Sequence, residues 1–93
     1  MAFRIVANYP KIEYRGIREG ISQKTNRRWM SLVLEDDEAN QIEVGVPNDM
    51  QRDIAELGLY KGDMLQVSVV AVATADGNSY VQLRAFPELV DGE

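Results

Sequence analysis

The chain has 93 residues, 45% of them hydrophobic and 27% charged, which is enough for one domain with one core and too little for two. It contains no cysteine and no histidine, so disulfides, thiolate metal sites, a cysteine nucleophile and the commonest general base are excluded, and neither an enzyme nor a cofactor is expected. The net charge of −5 argues at first against a polyanionic ligand, but residues 1–34 hold seven basic against two acidic residues while residues 35–93 hold three against thirteen.

Screening confines the field of surface charges to roughly 10 Å, so a basic region can bind an anion on a molecule of negative net charge. No uncharged apolar run approaches the ~20 residues needed to cross a bilayer, and the apolar stretch in Met1–Asn8 is too short for a secretory signal. A cytoplasmic protein without membrane contact is expected.

Phe3–Tyr14 is rich in β-branched and aromatic residues and reads as a strand, interrupted at Asn8–Pro10 because proline has no N–H for a ladder. The extended pattern continues over Tyr14–Ser22, where Gly16 and Gly20 mark curvature or a close approach of backbone. The polar loop Gln23–Arg28 collects Lys24, Arg27 and Arg28, and the only tryptophan, Trp29, follows at once. In the strand Arg28–Glu35, alternation puts Met30, Leu32 and Leu34 on the better core face and Trp29, Ser31 and Val33 on the other. An indole at the mouth of a basic loop can stack on a base while guanidiniums meet phosphates. Alternatively, Trp29 packs against its own sheet.

Asp36–Asn40 has the composition of a solvated turn. Gln41–Pro47 alternates, with Ile42, Val44 and Val46 inward and Gln41, Glu43 and Gly45 outward. Met50, Ile54 and Leu57 recur at helical spacing, so a short amphipathic helix is expected over Asp49–Leu57, capped by Asn48 or Asp49 and stopped by Gly58. Tyr60–Asp63 is a turn leading into Met64–Ala75, whose β-branched density predicts a strand with Leu65, Val67, Val69 and Ala71 on one face. Asp76-Gly77 supplies a hairpin turn, and Tyr80–Phe86 returns as the last strand, with Tyr80, Gln82, Arg84 and Phe86 on one face. The domain is expected to span residues 1–87, with a frayed acidic tail over 88–93.

The expected fold is all-β with one short helix: a long bent strand, two strands, the helix, then two strands. This resembles the OB-fold, a five-stranded Greek-key barrel whose helix lies between strands 3 and 4. The resemblance covers Phe3–Phe86 and rests on YRGIREGIS, the basic first loop, RRWMSLVLED, the short helix and LGLYKGDMLQVSV. It implies burial of Met30, Leu32, Ile42, Val44, Val67, Val69, Val81 and Leu83.

The short chain looks like the small single-stranded DNA-binding proteins of bacteria, phages and mobile elements. In those proteins bases stack on aromatic side chains of the sheet and basic residues track the backbone. The likeness implies a stacking role for Trp29 and phosphate contacts for Lys24, Arg27 and Arg28. Tyr14, Arg15 and Arg18 on the first strand, and Tyr80, Arg84 and Phe86 on the last, follow as further candidates. Single-stranded DNA is the expected partner, with RNA second, and a homodimer would link two sites. The competing expectation is an OB-fold used for protein–protein contact, with Trp29 and Arg28 as its hot spot.

Overall fold

The computed structural model describes residues 3–90. Strand β1 (Phe3–Ile21) is followed by β2 (Arg28–Glu35), β3 (Gln41–Gly45), helix α1 (Asn48–Glu56), β4 (Met64–Ala73), β5 (Ser79–Leu83) and the short β6 (Glu88–Leu89). The pairing order β1-β2-β3-β5-β4 closes through a β1–β4 ladder, giving the five-stranded barrel of the OB-fold with its helix between β3 and β4.

Closure depends on β1, whose 19 residues serve two neighbours. Its first half pairs with β4, from Phe3↔Ala73 to Glu13↔Met64. Its second half pairs with β2, from Glu13↔Glu35 to Ile21↔Arg28. Two bulges bend it between these partners. One lies between Tyr9 and Ile12, at the proline that cannot donate to a ladder, and the other between Tyr14 and Gly16, leaving Arg15 as the extra residue.

The core contains Ile12, Met30, Leu32, Leu34, Val44, Val46, Leu65, Val67, Val69 and Leu83. Ile42 is only partly buried. Val81 lies on the expected face but remains 38% exposed, because its register partner Ala71 sits where β1, β4 and β5 run on past the barrel. Helix α1 buries Ile54 in the core and packs Met50 against it. Asn48 does not cap it: Asn48 is the first helical residue, Pro47 precedes it, and no side chain accepts from the first turn. The Asn48 Oδ1 instead accepts from Gln51 Nε2 at 3.0 Å. Gly58 follows the helix at φ 64°, the left-handed stop expected of glycine.

The last strand is shorter than the expected Tyr80–Phe86, since pairing with β4 ends at Leu83. Residues 84–87 bend around a buried Pro87. The chain then rejoins β4 through Leu65↔Leu89 and Gln66↔Glu88. The start of the expected frayed tail is therefore a sixth strand, held by ladder bonds on the edge that β5 vacates. Residues 91–93 lie outside the described residues. Among the described residues, no helix is long and apolar enough to cross a membrane.

Candidate nucleic-acid interface

Trp29 stands on the outer face of β2, because its neighbours Met30, Leu32 and Leu34 occupy the core face. Its partner across the ladder is Gly20. A Cβ on Gly20 would lie 2.9 Å from Trp29 Cζ2 and 3.0 Å from Nε1, so the indole rests directly on the glycine backbone. One side of the residue thus packs on its own sheet, while 39% of it remains exposed.

Beside Trp29 the face is low. Ser31 pairs with Arg18 on β1 and Gly45 on β3, and Gly45 pairs with Gln82 on β5. This single row crosses four strands with a hydroxyl and a hydrogen at its centre. A Cβ at Gly45 would meet the Val81 carbonyl oxygen at 3.3 Å, so glycine permits the close β3–β5 approach here. Over this floor Arg18 Nη1 meets Glu43 Oε1 at 2.8 Å, an exposed ion pair reaching from β1 to β3 across β2.

Lys24 and Arg27 lie exposed in the β1–β2 loop and join no ion pair among the described residues. The loop is closed by Ser22 N–H donating to the Arg27 carbonyl at 2.9 Å and Asn26 N–H to the Ser22 carbonyl at 2.7 Å, with Asn26 left-handed at φ 56°. Arg28 parts company with Trp29. One residue earlier on the strand, it takes the Met30 side and lines a cleft against α1 with Glu19, Asn48, Gln51 and Glu56.

Two candidates are withdrawn from this face, Tyr14 by burial and the half-buried Arg15 by pairing with carboxylates. Tyr14 is a core residue, its backbone held by the Asp63 carbonyl and the Gly62 N–H at 2.7 and 2.8 Å. Burial, and secondarily the charge of Asp63, raise its phenol above the ordinary 10.0. Arg15, the bulged residue, donates to Glu13 at 2.6 Å and has Glu35 at 4.0 Å, so its charge is answered within the fold. The Glu13 hydrogen bond, opposed by desolvation, raises its pKa. The charge-rich first third is accordingly divided. Lys11 and Glu13 lie with Glu35, Asp36 and Asp37 around a separate groove, while Arg18, Lys24, Arg27 and Arg28 gather toward the hairpin.

On the last strand, Tyr80 shares the outer face with Gln82 and pairs with Val72, whose other partner is Arg4. Arg84 follows the end of β5, its N–H on the Ser68 carbonyl at 2.9 Å and its Nη1 3.5 Å from Ser68 Oγ. Phe86 belongs elsewhere, beside Asn8, Pro10, Gln66 and Glu88. Arg4 and Gln82 join the face, and Ser31 lies buried in its floor, although none is a candidate on sequence grounds. Their signal is the alternation itself, which places Ser31 beside Trp29 and Gln82 beside Tyr80.

The turn acids are self-satisfied. Asp36 accepts from the Glu38 and Asn40 N–H groups at 2.9 and 2.8 Å, which lower its pKa together with the Asn40 side chain. Compared with protein-family models, with curated proteins and with solved structures, the chain finds no match.

Proposed function

We propose that the outer face of the barrel binds single-stranded nucleic acid with little regard to sequence, DNA in preference to RNA, and that the protein is a binding module and not an enzyme. The observation that carries this reading is the placement of Trp29: seated on Gly20, partly exposed, between the low Ser31–Gly45 floor and the unpaired cations of the β1–β2 loop. A base laid on the indole gains stacking worth about 1–3 kcal/mol, and any base serves because every base has a π-face. Lys24 and Arg27 supply phosphate contacts, while Arg18 and Tyr80 extend the track along the sheet. Double-stranded DNA keeps its bases stacked on one another and offers the indole none.

The test is fluorescence anisotropy of labelled oligo-dT, oligo-U and a duplex of equal length at two salt concentrations. Binding to oligo-dT is expected at about 50 mM salt, exceeding that of the duplex. Replacing Lys24 and Arg27 together by Ala should weaken it and flatten the salt dependence by about 0.7 for each phosphate no longer neutralised. Absence of any binding at that salt, where electrostatic attraction is strongest, overturns the reading.

A further inference from the structure

Beyond the barrel, β1, β4 and β5 continue as a three-stranded arm. Its rows are Ala7–Val69–Leu83, Ile5–Ala71–Val81 and Phe3–Ala73–Ser79. In the first row Val69 and Leu83 are core residues. The next two rows present the same face with none of the described residues over it, leaving Phe3 70%, Ile5 61% and Val81 38% exposed. The core face of the sheet has run out of the barrel, and an apolar sheet face is stable only when covered.

We propose that a second copy of this chain covers it, the two arms packing face to face about a two-fold axis. The relief is self-complementary: Phe3 and Ile5 form a ridge on β1, and Ala71 and Ala73 form a groove on the neighbouring β4, bounded by Val81. A two-fold axis sets each ridge in the other copy's groove, as an isologous interface requires. Charge favours the same occupant. Across residues 3–10 and 64–83 the only charged side chains are Arg4 and Asp76, which cancel, whereas the chain as a whole carries −5. Two copies can meet on the arm without the repulsion they face elsewhere, and among the described residues a polyanion finds no side-chain cation on this face, since Arg4 alternates to the opposite face from Phe3 and Ile5.

With only Phe3, Ile5 and Val81 as its large exposed side chains, the face is smaller than the about 800 Å² per partner of a standard interface, so the dimer is weak and its population depends on concentration. This inference is independent of nucleic-acid binding.

Sedimentation velocity of the full chain from about 5 to 500 μM should show a reversible shift from one to two chain masses. Phe3→Ser with Ile5→Thr should raise the dissociation constant at least tenfold, with an unchanged far-UV spectrum and thermal midpoint, because both side chains are exposed. Leu89→Ser, which removes an exposed apolar residue on β6 instead, should leave the dimer intact. A monomer throughout the range, a dimer indifferent to the Phe3 and Ile5 changes, or a dimer abolished by Leu89→Ser would each overturn the proposal.

Discussion

Gly20 is the seat of Trp29: the two are register partners across β1 and β2, and a methyl group on the glycine would stand 2.9 Å from the indole Cζ2. The exposed aromatic is therefore positioned by the absence of a side chain opposite it.

Gly20→Ala should test that seat. Glycine within a strand ordinarily costs stability relative to alanine, by roughly 0.5–1 kcal/mol. Here the added methyl must displace the indole, and a loss of about 1–3 kcal/mol is expected, as for other overpacked sites. In a Trp29→Ala background the same change should be neutral or stabilising. Urea melts of the four proteins give the coupling directly, and a coupling near zero would place the indole away from Gly20.

Glu43→Gln bears on the binding face. Glu43 holds Arg18 over the Ser31–Gly45 floor at 2.8 Å, so a phosphate must compete with a carboxylate for that guanidinium. Removing the carboxylate should tighten binding to oligo-dT and steepen its salt dependence by about 0.7, the contribution of one further neutralised phosphate. Stability should move by less than about 1 kcal/mol, since exposed ion pairs contribute little. Unchanged affinity and slope in salt titrations would show that Arg18 takes no part.

Tyr14 links the core to pH. Its phenol is raised above 10.0 by burial first and by Asp63 second, so the folded state favours the protonated form. That contribution is fully present below the unfolded pKa of about 10 and is lost as pH rises through the higher folded value. Urea melts from about pH 9 upward should show the native protein losing stability relative to Tyr14→Phe. Parallel pH profiles for the two would contradict this account of Tyr14.

The two misplaced aromatics show how far sequence reading reaches. Alternation defines the faces of β2 and β3 because Met30, Leu32, Val44 and Val46 repeat without interruption. On β1 the same rule puts Tyr14, Gly16 and Arg18 on one side. The bulge at Arg15 reverses the parity, so Tyr14 enters the core while Arg18 stays outside. Phe86 fails similarly, because pairing stops at Leu83 and the buried Pro87 redirects the chain before β6. Arg28 neighbours Trp29 in sequence, but adjacent strand residues face opposite ways. Gly16 and Gly20 are legible as points of curvature or close approach, yet which side chain approaches Gly20 depends on a register that only the hairpin sets.

The most direct test of the central claim is the emission of Trp29, the one indole in the chain, during titration with oligo-dT at low salt. Stacking of a base on its exposed side should quench the emission, saturating at the same concentration as anisotropy. Trp29→Ala should weaken binding by roughly 1–3 kcal/mol with little change in salt slope. Binding that saturates by anisotropy while the emission of Trp29 stays constant would contradict the stacking site.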